Sequence, residues 1–183
     1  MDTTGEGGDP ACHLHLLCPV CGAFASQRLA PCCVRCAGPV RHPWLGVLRP
    51  DAEGRLVGGI DIDPTVRPAA ANGDTDCGVT IGPGAAGAEP VDLDGAAARI
   101  RRVLEGLETL KDFALAHAPA HRRSHFDATD GTDGTTPRDR LFLDGFDVVS
   151  PDAMDVSFDC GDLGTLLVRL DGSGRAREVR PDA

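Results

Sequence analysis

One stretch in the middle of the chain repeats apolar residues at the spacing of an α-helix. Its apolar positions fall on one helix face: Ile100, Val103, Leu104, Leu107, Leu110 and Ala114. Its charged positions fall on the other: Arg101, Arg102, Glu105, Glu108 and Asp112. Asp92 and Asp94 favour a helix start, and Pro119 cannot continue the helix. The pattern predicts one amphipathic helix of about 24 residues, roughly 93–116, whose apolar stripe needs a sheet to cover.

Short apolar runs between turn residues predict strands on both sides of this helix. Before the helix, the predicted strands span residues 42–49, 55–62 and 77–81. After it, they span residues 141–149, 154–158 and 165–170, with a short edge strand at 175–179. A hairpin, a helix and then successive strands joined by tight turns indicate an α+β domain. We expect an antiparallel sheet with the one long helix packed on a single face.

Composition divides the chain into modules. Residues 1–10 are rich in Gly, Asp and Thr, and we expect a disordered tail there. Residues 11–42 form a cysteine-rich module, and residues 43–180 form the acidic α+β domain. Residues 127–137 within that domain lack the alternating acids and the closing Glu of a calcium-binding loop, so they are predicted to be a flexible Asp/Gly/Thr linker.

Charge follows the same division. The chain of 183 residues has a net charge of −10, which argues against affinity of the whole protein for nucleic acid or anionic membranes. Residues 11–50 nevertheless contain four arginines and no acidic residue. That segment permits weak contact with the phosphates of a nucleic acid. Residues 51–183 hold 25 acidic and 14 basic residues, and such a domain suits a basic protein partner.

Two further patterns bear on location. No apolar stretch is long enough for a transmembrane helix, so we expect no association with a membrane. The N-terminus is acidic and rich in glycine, without the basic region of an export signal. We therefore expect a cytoplasmic protein.

Two C-x-x-C knuckles carry the clearest chemistry of the sequence. They supply four thiolates: Cys18, Cys21, Cys33 and Cys36. Two residues between paired cysteines allow one tight turn to direct both sulfur atoms at one ion. Four thiolates fill the tetrahedral shell of Zn²⁺ and leave no open position. The spacing therefore predicts a structural zinc site, with disulfide or redox pairing as the alternatives.

The ligand set has open alternatives. Cys32 adjoins Cys33 and makes the register of the second knuckle ambiguous, although Cys33 with Cys36 has the better spacing. Nearby residues that are able to replace a ligand are Cys12, His13, His15 and His42. Residues 12–16 also fit a short strand that leads into the first knuckle, and this strand would place His13 and His15 on one face.

Two resemblances accompany these motifs. The sequence Cys18-Pro-Val-Cys21-Gly closely resembles a zinc-ribbon knuckle, and the resemblance covers about residues 12–42. Residues 43–180 resemble a group of small uncharacterised bacterial α+β domains, some of them suspected to be immunity-type or accessory proteins of toxin systems. The second resemblance rests on His42-Pro-Trp-Leu-Gly-Val-Leu, on the single long helix and on the closing Met154-Asp-Val-Ser-Phe strand pattern. It implies no catalytic residues.

The remaining candidate catalytic residues have simpler interpretations. Cys77 and Cys160 are each interpreted as small buried apolar residues rather than nucleophiles. Asp61 with Asp63 fits a solvated strand end better than a cation site, and three further acids at positions 155, 159 and 162 are similarly ambiguous. The three histidines at positions 117, 121 and 125 are interpreted as a solvated helix end.

Three functions follow from these interpretations. The leading hypothesis is a non-enzymatic interaction module with a structural zinc site, immunity-like or accessory to a toxin system. The second is a regulator that contacts nucleic acid through residues 11–50. The third is an enzyme whose site in the α+β domain the sequence does not reveal.

Overall fold

The computed structural model describes residues 39–51, 53–62, 76–82, 92–128 and 136–182. These residues contain eight strands: β1 (Val40–His42), β2 (Gly46–Pro50), β3 (Leu56–Asp61), β4 (Asp76–Ile81), β5 (Phe142–Ser150), β6 (Ala153–Asp159), β7 (Thr165–Asp171) and β8 (Ala176–Pro181). They also contain three α-helices: α1 (Leu93–Glu105), α2 (Leu107–His117) and α3 (Ala120–Ala128). Short 3₁₀ helices span Pro137–Arg140 and Gly161–Leu163. The predicted α+β class is confirmed.

The strands form one sheet in which spatial order follows chain order. Every neighbouring pair is antiparallel except β4 and β5, which run parallel with Gly78 opposite Gly145 and Ile81 opposite Val148. A parallel pair needs a crossover connection, and the three helices lie in it. The prediction of a purely antiparallel sheet is therefore wrong at this one pair, because hydrophobic alternation along a strand carries no information about its neighbour's direction.

The predicted single helix is two helices, and a third follows them. Gly106 interrupts the helical pattern with φ −105° and ψ 15°. Its N–H still donates to the carbonyl groups of Arg102 (3.3 Å) and Val103 (3.1 Å), so α2 starts without a gap in the hydrogen bonding. Pro119 separates α2 from α3. Glycine loses the most backbone entropy in a helix, which explains why the break falls at position 106.

The core lies between the helices and one face of the sheet. Paired positions on neighbouring strands bury Val79, Phe146, Val156 and Val168 on this face. The helix residue Ile100 is fully buried in the same cluster. At about 25 cal/mol per Å² of buried apolar surface, this two-layer arrangement supplies the main favourable energy of the fold. The opposite face of the sheet carries the alternate residues of each strand and is called the open face below.

The first turn of the sheet contradicts the predicted strand at residues 42–49. The chain pairs β1 with β2, and residues 43–45 form the turn between them, with Gly46 in the left-handed region at φ 71°. Trp44 therefore lies in a turn, where the guanidinium of Arg101 is 4.6 Å from its ring centre. Residues 40–42, which the sequence pattern groups with the cysteine-rich module, belong to this sheet.

Two hairpins use the same Asp-x-x-Gly-Arg turn. In one, Asp51 Oδ1 accepts the backbone N–H of Arg55 at 2.8 Å, and in the other Asp171 Oδ1 accepts that of Arg175 at 3.1 Å. The glycine before each arginine has a positive φ, 77° in the first turn and 83° in the second. This conformation favours glycine and closes a hairpin whose loop ends in a bulge. The repeated motif accounts for both tight turns.

A close approach between β2 and β3 gives the first prediction. A Cβ atom at Gly58 would lie 2.8 Å from Leu48 Cδ2 and 2.9 Å from the Val47 carbonyl oxygen. Because backbone is one of these neighbours, we expect Gly58→Ala to lower the free energy of unfolding by about 1–3 kcal/mol in urea titrations.

The matched control is Gly54→Asn, since position 54 has open space around it and asparagine tolerates a left-handed backbone. We expect this control to cost less than Gly58→Ala. Equal stability of the Gly58→Ala variant and the parent protein would show that the two strands are not in close contact.

Candidate interaction surface

The predicted zinc ligands Cys18, Cys21, Cys33 and Cys36 lie outside the described residues. The same holds for four of the alternative ligands: Cys12, His13, His15 and Cys32. Within the described ranges, no group of three or more His, Cys, Asp or Glu side chains is arranged to hold a metal ion. The zinc site therefore stays a prediction from cysteine spacing.

His42 is the one alternative ligand that the structure describes, and its ring has a structural role. Its Nδ1 accepts the backbone N–H groups of Trp44 at 3.2 Å and Leu45 at 3.0 Å. Because Nδ1 accepts, we assign the ring proton of the neutral form to Nε2, which lies 3.1 Å from Asp94 Oδ1. His42 thus holds the β1–β2 turn against the first turn of α1.

The three histidines of the helical region lie on two helices. His117 ends α2, and His121 and His125 follow Pro119 on α3. All three are exposed. The ring of His117 stacks on Phe113 with the ring centres 4.1 Å apart. This placement fits the interpretation as a solvated helix end.

Both cysteines of the α+β domain are buried. Cys77 is 0% exposed and Cys160 is 8% exposed. Burial raises the pKa of the Cys160 thiol to about 11, although Arg122 acts in the opposite direction. A thiol with this pKa is almost fully protonated at neutral pH, and the thiolate is the nucleophilic form. The environment of Cys160 therefore favours the predicted packing role.

A charged row crosses the open face at its centre. Register places Thr80, Asp147, Asp155, Arg169 and Glu178 side by side on five neighbouring strands. The hydrogen bonds of this row converge on Asp155. It accepts two hydrogen bonds from Arg169, one of them from Nη2 at 2.7 Å, and a third from Arg180 Nη2 at 2.9 Å.

Burial of Asp155 makes this network structural. Its side chain is 7% exposed, while those of Arg169 and Arg180 are 32% and 41% exposed. The hydrogen bonds that Arg169 donates to Asp155 raise the pKa of Arg169 above its ordinary value, and the cost of desolvation only partly opposes that shift. Two guanidinium groups cover one carboxylate, so the buried charge is paired and its lone pairs are satisfied.

Asp147, the neighbour of Asp155 across β5 and β6, has no comparable pairing within the described part of the chain. Desolvation raises the pKa of Asp147, and the nearby negative charge of Asp155 adds to that effect. The positive charges of Arg55 and Arg169 oppose the shift without cancelling it. The ionised form of Asp147 is thus disfavoured in the native state.

Four exposed carboxylates collect at one end of the sheet, which we call the acidic end: Asp61, Asp144, Asp159 and Asp162. Topology brings them together. The end of β3 and the start of β5 flank β4, and the end of β6 pairs with the start of β5, with Phe142 opposite Asp159. Asp162 follows in the 3₁₀ helix between β6 and β7.

Local hydrogen bonds hold two of these carboxylates in place. Asp144 sits at a register shift between Leu143 and Gly145, and its Oδ2 accepts the hydroxyl of Ser157 at 3.3 Å. Asp159 Oδ1 accepts the N–H of Gly161 at 2.9 Å. One cation near this end, Arg122, is buried, and its Nη1 donates to Thr165 O at 2.7 Å.

Sequence reasoning singled out three of the four acids but did not group them. Spacing along the chain groups Asp61 with Asp63 and Asp159 with Asp162, because it relates only residues that are close in sequence. Asp144 has no signal of its own in the sequence, because it lies within the predicted strand at residues 141–149. The cluster forms because β3 and β5 lie on either side of β4. No pattern in the sequence specifies that arrangement.

Comparison with known proteins adds no assignment: the chain matches no protein-family model, no curated protein and no solved structure. Among the described residues, none of the helices has the length and apolar character needed to span a membrane.

The raised pKa of Asp147 gives the second prediction. A carboxyl group with a higher pKa in the native than in the unfolded state destabilises the protein at pH values where it is ionised. We expect Asp147→Asn to be more stable than the parent at pH 7, by less than about 1 kcal/mol because partial exposure screens the charge.

The pH dependence supplies the check. The advantage of the Asn variant should shrink as the pH falls through the pKa of Asp147, since the parent then gains the proton that removes the cost. Thermal unfolding at pH 7 and pH 4 measures this. An advantage that stays constant with pH, or a variant that is less stable at pH 7, would contradict the assignment.

Proposed function

We propose that the protein is a non-enzymatic, cytoplasmic interaction module whose acidic α+β domain binds a basic protein partner. The observation that carries this proposal is the acidic end, where Asp61, Asp144, Asp159 and Asp162 are all exposed. The resemblance of residues 43–180 to immunity-type and accessory domains agrees with it, since an acidic surface suits a basic partner.

The physics of the acidic end supports a docking role. Asp144 and Asp159 are held by hydrogen bonds to Ser157 and Gly161, so they lose little side-chain freedom when a partner binds. Exposed carboxylates of one sign accelerate the encounter with an oppositely charged partner. A rigid group of like charges on strand ends therefore provides orientation and a fast association rate.

The N-terminal module completes the proposal. Cys18, Cys21, Cys33 and Cys36 hold a structural Zn²⁺ ion as four thiolates. A segment with little apolar mass obtains its folding energy from such a metal, and apparent binding energies of about 10–16 kcal/mol are typical. The ion stabilises the module and has no catalytic part.

Nucleic-acid binding through residues 11–50 is the second candidate. Arg41 and Arg49 favour it, because both are exposed on the open face of neighbouring strands. Both lie in the acid-free segment of the sequence, in the part of it that belongs to the sheet.

Charge neutralisation at the acidic end tests the first candidate. The variant Asp144→Asn/Asp159→Asn keeps both local hydrogen bonds, because the Asn side-chain oxygen accepts as the carboxylate does. We expect the full-length tagged protein to recover a basic protein from extract of its own cells, and the double variant to recover at least about tenfold less.

A matched variant removes the same charge elsewhere. Glu105→Gln/Glu178→Gln changes two exposed acids on α1 and β8 and should recover the partner as the parent does. Equal recovery by both double variants, or no specific protein in repeated experiments, would contradict the proposal. Loss of all recovered material after nuclease treatment would transfer support to the nucleic-acid candidate.

Metal analysis tests the zinc site independently. We expect about one equivalent of zinc in freshly purified, reduced protein, and almost none in Cys18→Ser/Cys21→Ser. Cys160→Ala is the control, because that thiol is buried in the α+β domain and should not affect the metal content. Less than about half an equivalent in the parent protein would count against the site.

A further inference from the structure

A cavity of about 430 Å³ lies between the helices and the sheet, at the end opposite the acidic end. It opens beside the break at Gly106, where α1 and α2 meet, and reaches the β7–β8 hairpin. Its volume falls in the range of sites that take small molecules, roughly 300–1,000 Å³.

The walls of the cavity are mainly apolar. The apolar side chains are Val103, Leu110, Phe113, Met154, Leu170 and Ala176. Met154 and Leu170, each 1% exposed, connect the cavity wall to the core of the sheet. Phe113 is only partly buried against that core. An apolar ligand placed here would shield the exposed part of this surface from water.

Three arginines line the same cavity, and no carboxylate does: Arg99, Arg102 and Arg175. In a protein with a net charge of −10 this local excess of positive charge is unusual. Among the described residues, no ion pair joins any of the three guanidinium groups to an acid. A Cβ atom at Gly174 would lie 3.9 Å from Arg102 Cδ, so the α1 arginine reaches the hairpin that carries Arg175.

Arg99 shows that the positive charge is incompletely compensated. Its Nη1 donates to the carbonyl oxygen of Ser150 at 2.8 Å. Its Nε and Nη2 are buried and have no hydrogen-bond partner among the residues that the structure describes. Burial without pairing lowers the pKa of Arg99, with only the charge of Asp152 acting against the shift. A buried donor without a partner costs free energy that a nearby anion would recover in part.

From this geometry we infer that the cavity binds one small amphiphilic oxyanion, whose carboxylate or phosphate head lies among Arg99, Arg102 and Arg175 and whose apolar body lies against Leu110, Phe113 and Met154. Guanidinium groups match both kinds of oxyanion, because their planar donors form paired hydrogen bonds. The apolar walls require the rest of the ligand to be uncharged. This binding site is separate from the acidic end, so its test does not depend on the partner protein.

Four probes with the same ten-carbon chain separate the contributions of head and body: decanoate, decyl phosphate, decanol and decyltrimethylammonium. Calorimetric titration of the full chain, below the concentration at which each probe aggregates, measures their affinities. We expect decanoate, decyl phosphate or both to bind with one equivalent in the micromolar range, and decanol at least about tenfold more weakly. The stronger of the two anions identifies the head group.

The cationic probe is the strictest comparison. The overall charge of the protein attracts decyltrimethylammonium, so a preference for the anions has to come from the local arginines. Binding of the cation or of decanol as tight as that of both anions would overturn the inference. Absence of anion binding up to millimolar concentration would overturn it as well.

Two variants locate the site. Arg102→Gln/Arg175→Gln changes exposed side chains, and we expect it to weaken anion binding at least about tenfold while decanol is unaffected. Arg41→Gln/Arg49→Gln removes the same charge from β1 and β2 and should leave binding unchanged. Thr109→Phe places a ring at the cavity and should weaken all chain-bearing probes. Anion binding that survives both the Arg102/Arg175 and the Thr109 changes would place it elsewhere and contradict the inference.

Discussion

The parallel pairing of β4 with β5 is the constraint on which the rest of the domain depends. Two parallel neighbours cannot be joined by a tight turn, so the chain has to leave the sheet and return over one face. The helices α1, α2 and α3 make that return. They bury one face of the sheet and leave the other to water. The two faces therefore have different chemistry, and both proposed binding sites follow from that difference.

The open face shows how a sheet face that no second layer covers keeps charged residues at its centre. Asp155 is almost fully buried, yet it lies between two guanidinium groups that satisfy it. Removing one partner of such a pair is far more costly than the pair is stabilising, because the other charge is then left buried without compensation. Asp147 beside it is incompletely paired and raises the energy of the native state. A sheet selected for stability alone would carry an apolar or amide side chain there.

The pattern of single residues predicts elements well and their arrangement less well. The strands after the helix were predicted correctly because period-two alternation follows from burial of one face, as in Met154, Val156 and Phe158. The short turn between the strands predicted at residues 165–170 and 175–179 likewise indicates the β7–β8 hairpin. The break at Gly106 and the turn at Trp44 were missed, since one glycine in an apolar helical stretch and one aromatic residue before a strand are weak signals. The acidic end depends on the pairing of β4 with β5 across the helical crossover, and the arginine-lined cavity depends on how α1 and α2 pack against β6, β7 and β8. No local pattern specifies either arrangement.

The two candidate sites lie at opposite ends of the same strands, and this separation decides how they influence each other. β7 runs from Thr165 near the acidic end to Asp171 beside the cavity, and the six steps between its seven residues, at about 3.3 Å each, span roughly 20 Å. Physiological salt screens charge interactions between exposed groups beyond about 8 Å. An anion among Arg99, Arg102 and Arg175 thus changes the potential at Asp144 and Asp159 very little. Coupling between ligand and partner would therefore need a structural change with different contacts in its two states.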